Sequence, residues 1–299
     1  MKPFLVMILL LASGFGRAQE LYIFTEPASN MATGSLGFRL NNFIMPQKQQ
    51  SRTAYRLDPE LMWGINKNWM LHANFYASNM MQSGFKFEGG GLYAKYRFLS
   101  IDDIHKHFRM AAFGKAVVVK NPYKMAVTER MSMPDGNGGY MDHYETTHHT
   151  TAEQNIDGNH SGWQLGVVAT QLVGKLAVSA SASSIQRIDN LGKVDQIATS
   201  PKASFQGTLS AGYLLFPKNY DNYKQANVNL YAELITQKPY SAPGYFVDAG
   251  PGIQFIFNSI SRLDLAYRFQ LAGDMSRFSD KQLLIRFEYN FLNAINKKS

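Results

Sequence analysis

The chain has 299 residues, no cysteine, 17% charged and 13% aromatic residues, and its 30 Lys+Arg against 22 Asp+Glu give a formal net charge of +8. Soluble domains average about 25% charged residues and disordered chains are poor in aromatics, so a typical cytosolic enzyme and a solvated tail are both excluded. The lack of cysteine also excludes a disulfide framework, a thiolate metal site, a Cys nucleophile and a lipoprotein anchor.

Residues 1–18 read as a secretory signal. Lys2 precedes an apolar run from Phe4 to Ala12, and the small residues Gly16 and Ala18 place cleavage before Gln19. That run is far shorter than the roughly 20 residues a spanning helix needs. Residues 19–299 remain as a single domain, with no later stretch both long and apolar enough to cross a membrane as a helix. The mature chain is therefore expected either to be soluble outside the cytoplasm or to cross as a β-barrel.

In chain order, period-two alternation predicts twelve strands. It begins at Leu36/Phe38/Leu40. Next, Tyr55, Leu57, Leu61, Trp63 and Ile65 oppose Arg56, Asp58 and Glu60, and Trp69, Leu71, Ala73 and Phe75 oppose His72 and Asn74. Around Gly89-Gly90-Gly91 the apolar parity switches from Phe85/Phe87 to Leu92/Ala94/Tyr96/Phe98, which predicts a β-bulge at the glycines. Weaker ladders follow at Phe108–Ala112, Trp163–Ala169, Leu176–Ala182, Phe205–Tyr213, Val228–Leu234 and Val247–Phe257. The last two are clear. Leu263, Leu265, Tyr267, Phe269 and Leu271 oppose Arg262, Asp264 and Arg268, and Leu283, Ile285, Phe287, Tyr289 and Phe291 oppose Arg286 and Glu288. Pro59 and Pro251 fall inside strands and call for local bulges, or a short turn around Asp58-Pro59, because each removes a ladder donor.

Barrels of the outer membrane have short periplasmic turns and longer external loops. With both termini inside, the second, sixth and tenth connections should be short, and Ile65–Asn68, Val173–Lys175 and Asn258–Ser261 are. The expected external connections include the long loop 121–160, 185–202 and 273–281. Two inside connections, Ser100–His107 and Pro217–Ala226, are longer than usual. A soluble sandwich would alternate too, but Trp63, Trp69, Trp163, Tyr267, Tyr289 and Phe291 sit near strand termini as an interfacial girdle requires. The expected fold is an all-β, transmembrane, antiparallel up-and-down barrel of about twelve strands in the outer membrane.

Over the whole mature chain this pattern resembles the outer-membrane β-barrels of Gram-negative bacteria, in particular small Bacteroidota barrels similar to transporters of the phenol-degradation-pathway type. The string Leu21-Tyr22-Ile23-Phe24-Thr25-Glu26-Pro27-Ala28-Ser29-Asn30-Met31 before the first strand is its most distinctive local feature. The resemblance implies a channel. The residues Leu292–Ser299 after Phe291 depart from the terminal aromatic such barrels often carry.

Three places could hold chemistry. The inward positions, Arg39, Arg56, Asp58, Glu60, His72, Lys86, Glu88, Lys95, Arg97, Arg109, Lys115, Glu233, Asp248, Arg262, Asp264, Arg268, Arg286 and Glu288, form either a polar pathway with a cationic bias or a plug of ion pairs. The loop 121–160 carries Met125, Met131, Met133, Met141, His143, His148, His149 and His160 with six acids against Lys124 and Arg130. Thioether and imidazole suit copper, and imidazole with carboxylate suits zinc or nickel, although the His spacing fits no closed site and a solvated loop is the other reading. Catalysis is not expected, since His72 is the one His predicted within a strand and the Ser179/Ser181/Ser183 ladder has no evident base. Gly136-Asn137-Gly138-Gly139 reads as a turn. The expected function is diffusion of small polar or anionic solutes without a cofactor, with membrane lipid as surroundings and no nucleic-acid partner. The alternative is a closed barrel that displays its loop to a metal or partner.

Overall fold

The computed structural model describes residues 22–295 other than 83, 104–105, 123, 192–200 and 218–224, so the expected signal 1–18 lies outside the described residues. The strands in chain order are β1 (Leu36–Pro46), β2 (Thr53–Gly64), β3 (Trp69–Ser78), β4 (Lys86–Asp102) and β5 (Lys106–Val119). Then come β6 (Met125–Pro134), β7 (Tyr140–His149), β8 (Gly162–Val173), β9 (Leu176–Arg187) and β10 (Ala203–Phe216). The last are β11 (Asn227–Pro239), β12 (Phe246–Phe257), β13 (Ser261–Gly273) and β14 (Lys281–Phe291). All but β6 and β7 close into one antiparallel barrel in which β5 pairs with β8 and β14 returns to β1. The twelve wall strands are those expected from alternation.

The closure follows from the two faces. In β14, Leu283, Ile285 and Phe287 point outward while Leu284, Arg286 and Glu288 are buried inside, and β13 repeats this with Leu265 and Tyr267 against Arg262 and Asp264. A continuous outward row of such residues is the apolar belt of a barrel in lipid. The outer face also carries Trp63, Trp69, Trp163 and Phe291 at or near the ends of their strands, whereas Tyr267, expected at a terminus, sits at the middle of β13 because that strand extends beyond the apolar ladder on both sides.

The expected bulge is present. Tyr76 pairs with Gly89 but Ala77 with Phe87, which leaves Glu88 as the extra residue. Glu88 turns inward and is buried, and the parity of β4 reverses across it. Gly89 has φ +153, and a Cβ there would lie 2.2 Å from the Val118 carbonyl oxygen.

The prolines correct the expectation of bulges or a turn. Register on each side of Pro59 is unchanged, with Leu57↔Ala77 and Glu60↔Asn74, and only the two pairs between are missing. Pro251 does the same, with Ala249↔Phe269 and Gly252↔Ala266 flanking an unpaired step. Each proline is paired on its other side, to Leu40 and Ala232. The ring thus spares one ladder and interrupts the other without adding a residue.

Two connections also differ. The Ser100–His107 connection shrinks to 103–105 because β4 and β5 extend towards each other, and His107 thereby joins His72 as a His of the barrel wall. The 121–160 loop is not simply solvated coil. It contains a separate hairpin of β6 and β7, turned at Asp135, whose carboxylate accepts the amides of Asn137 and Gly139 while Gly136 and Gly138 adopt positive φ.

Candidate functional site: a lumen filled from both ends

The end of the barrel where β1 starts and β14 stops is termed here the terminal end, and the other the distal end. From the terminal end, residues 22–34 enter the lumen before β1 begins. Lys95 of β4 donates from Nζ to the carbonyls of Pro27 and Ser29, both at 2.7 Å, and the Ala28 amide donates to Thr170 Oγ1 at 2.9 Å. Arg109 of β5 donates to Ser29 Oγ at 2.8 Å. Deeper in, Glu26 meets Arg39 of β1 at 2.6 Å and lies 3.8 Å from Lys95. Glu233 of β11 then takes the amides of Ile23 and Phe24 at 2.7 and 2.8 Å on one oxygen and the Thr25 hydroxyl on the other. Each polar backbone group named here is matched, as the loss of water in a filled lumen demands.

Apolar contacts complete the seat. Tyr22 and Ile23 pack with Leu172, Ala177, Tyr231, Ala266 and Leu284, inward residues that interrupt the charged face. Phe24 reaches the cluster of Ile235, Phe246 and Met275, against which Ala152 also packs. The N-terminal segment therefore meets a second body inside the barrel.

That body is the distal cap, residues 150–161 with 274–280. Gln154 exchanges hydrogen bonds with Gln237 of β11, and Arg277 binds Glu153 at 3.2 Å and Asp248 of β12 at 2.8 and 2.9 Å. Lys115 pairs with Asp157, and Arg56 bonds Asn159 while lying 3.4 Å from Glu88. Asn121 donates to Glu88 and to the Gly158 carbonyl. His160 is buried, with Nδ1 at 3.2 Å from the Asn155 carbonyl and Nε2 at 3.3 Å from an Arg187 donor. Burial and the Arg187 charge push its imidazole down to about 3, so it is neutral.

Between plug and cap the inward charges are joined. Arg39 bridges Glu26, Glu60 and Glu288, Arg262 bridges Glu288 and Asp264, and Arg286 lies 3.7 Å from Asp264 and donates to Asn41. His72 Nδ1 is 2.5 Å from Glu60, and Arg268 is 2.6 Å from Asp248. These inward charges are paired with one another and with the N-terminal segment and distal cap. Asp58 is buried on the same wall, Arg97 is half-buried near the terminal end, and Lys86 lies exposed at the distal mouth beside Gln82.

The loop residues divide. Met131↔His143 and Met133↔Met141 are neighbouring cross-strand pairs on one face of the hairpin, His148 opposes Ala126 on the other face, and His149 sits at the root opposite Met125. His160 is not brought to them. Among the described residues, no three His, Asp or Glu side chains converge on a metal position. Sequence reasoning missed Glu26, Glu153 and Arg277. The first lay within the string singled out as distinctive, an apolar triplet followed by an acid and too short for a wall strand.

The closed wall, apolar belt and filled polar interior define a transmembrane β-barrel. The COG4313 outer membrane channel from Pseudomonas putida F1 shares the fold, at TM-score 0.55 and 10% identity over 90% of this chain and 100% of that one. The KdgM porin (TM-score 0.46, 7% identity, 85% and 99% covered) and the CymD monoaromatic hydrocarbon channel (0.41, 10%, 87% and 88%) align more loosely. No family model and no curated protein matches the chain in sequence.

Proposed function

We propose that this protein is an outer-membrane channel for small polar or anionic solutes, exported by the signal 1–18 and closed at rest by its own N-terminal segment and distal cap. The observation that carries this reading is the chemistry of the seat. Arg39, Lys95 and Arg109 are held by the Glu26 carboxylate, the Pro27 and Ser29 carbonyls and the Ser29 hydroxyl. When the segment withdraws, these cations lose oxygen partners that an anionic solute can replace, which lowers the cost of exposing them. On this reading the terminal end faces the periplasm and the β6–β7 hairpin faces outside, which matches the usual placing of short and long connections. Kinship with Bacteroidota transporters of the phenol-degradation type belongs to the same proposal, and passage is by diffusion without a cofactor.

Planar-bilayer conductance tests it. The full mature chain should show rare or small steps, whereas a variant that lacks residues 22–31 and carries Arg277→Ala, which unties the distal cap from Glu153 and Asp248, should show large steps that favour chloride over potassium in a salt gradient. That preference should fade near 1 M salt, where the Debye length is about 3 Å. A heat-modifiable variant that stays silent, or one that prefers potassium, overturns the reading.

A further inference from the structure

We propose that the exposed face of the β6–β7 hairpin that bears Met131, Met133, Met141 and His143 is a binding site for a soft monovalent metal ion, Cu(I). Directly opposed residues of an antiparallel pair have Cβ atoms about 5 Å apart, and the next pair on the same face is about 7 Å along. Met131 opposes His143 and Met133 opposes Met141, so three thioethers and one imidazole share two adjacent rungs of one face. Methionine has three rotatable side-chain bonds, which lets sulfur atoms from neighbouring rungs meet a common ion.

The two faces of the hairpin differ in a way that points to a ligand. On one, Arg130 pairs with Asp142 at 2.8 Å and Thr128 bonds Thr146 at 2.8 Å, so the polar groups are matched within the ribbon. On the other, Glu129 directly opposes Glu145 one rung below Met131 and His143. Like charges in that position destabilise a ribbon, and a cation bound alongside relieves the repulsion. Among the described residues neither carboxylate forms an ion pair, and the His143 ring has no hydrogen-bond partner. Met133 and Met141 are 45% and 56% exposed, at the outer part of a hairpin that belongs to no larger sheet.

The same face has a counterexample at its root. Met125 is buried with Met45, Met80 and Met81, and the sulfurs of Met80 and Met125 accept hydrogen bonds from Gln47 and Gln50. Those thioethers are packed and partnered. The donors near the tip are neither, and their composition selects the metal, because thioethers favour Cu(I) whereas zinc needs the convergent His and carboxylate groups that the hairpin lacks.

Ag(I), an air-stable mimic of Cu(I), is the probe, titrated into the refolded full chain in detergent and followed by calorimetry. Binding of one equivalent is expected, undisturbed by excess Zn(II). Met133→Leu with Met141→Leu keeps side-chain volume and should weaken Ag(I) binding by roughly a hundredfold or more, since two of four soft donors are lost. His148→Asn, on the opposite face, should change nothing, and retained heat-modifiability shows that each variant is folded. Equal Ag(I) binding by the double-leucine variant or full displacement by Zn(II) overturns the proposal. None of these outcomes depends on conductance, so the site stands or falls separately from the channel reading.

Discussion

Glu26 of the N-terminal segment lies 2.6 Å from Arg39 of β1, and Arg39 is at the same time 3.0 Å from Glu60 and 2.7 Å from Glu288. The segment is thus tied to the wall through a cation that keeps two other partners when the segment leaves. Glu26→Gln should loosen the plug without stranding Arg39, at a cost on the order of 1–3 kcal/mol for the lost charge-assisted bond. Open-channel events in a planar bilayer should become about tenfold or more as frequent. Unaltered gating would mean that the apolar seat of Tyr22 and Ile23 holds the segment by itself.

The lipid-facing rows give a sharper structural test. Leu265→Arg or Phe287→Arg places a charge against mid-membrane lipid and should cost roughly 2–4 kcal/mol. Asp264→Ala incurs no such penalty, and Arg262 keeps Glu288 while Arg286 keeps the Asn41 side chain. Urea titration of the refolded barrels should therefore rank both arginine variants below Asp264→Ala. A water-soluble mature chain without detergent would end the membrane reading.

The distal cap should loosen in acid through His160. Its imidazole is held down at about 3 by burial and Arg187, below the unfolded value of about 6.5, so the opened cap binds a proton that the closed one does not. Stability contributed by the closed state is complete above pH 6.5 and falls as pH drops from there towards 3, by on the order of 3 kcal/mol at pH 4. Protection of the amides of residues 151–161, taken relative to their intrinsic exchange rates, should fall across that window, and His160→Gln should flatten the dependence. Protection that is independent of pH in the wild type would contradict the buried neutral ring.

At the bulge, Gly89→Ala forces a Cβ to within 2.2 Å of the Val118 carbonyl at φ +153. No side-chain rotation relieves a clash with backbone, so β4 must lose either the bulge or its pairing with β5. Loss of the heat-modifiable form on a gel is expected, whereas Gly84→Ala, with nothing near its added carbon, should fold normally.

The wall was legible because lipid outside and charge inside impose period two on every strand, and Leu283 to Phe291 shows this without help from any neighbour. The bulge was legible for the same reason, since Phe85/Phe87 and Leu92/Ala94 cannot share a face in a regular strand. The plug was not. Residues 22–34 have no period, and Glu26 acquires its role only from Arg39 and Lys95, which come to it through the fold of the chain back into the barrel. The hairpin was missed because β7 runs Tyr140–His149 with both faces polar, leaving no apolar row to mark it. Its turn at Gly136–Gly139 was visible, and pairing across that turn is what places Met131 opposite His143. His160 looked like another ligand of the loop, but the fold drew it into the cap beside Arg187.

The unpaired steps beside Pro59 and Pro251 fall on the β2/β3 and β12/β13 seams. Around the ring these seams bracket a panel of four strands, β2, β1, β14 and β13, that is fully laddered within itself and carries Arg39, Glu60, Arg262, Asp264, Arg286 and Glu288. Hydrogen-bonded ladders resist shear in proportion to the bonds per length, so this wall is stiff within the panel and compliant along its two borders. Mechanical load that reaches the panel from the rest of the barrel is therefore relieved by flexing along those two lines before it distorts the strands between them.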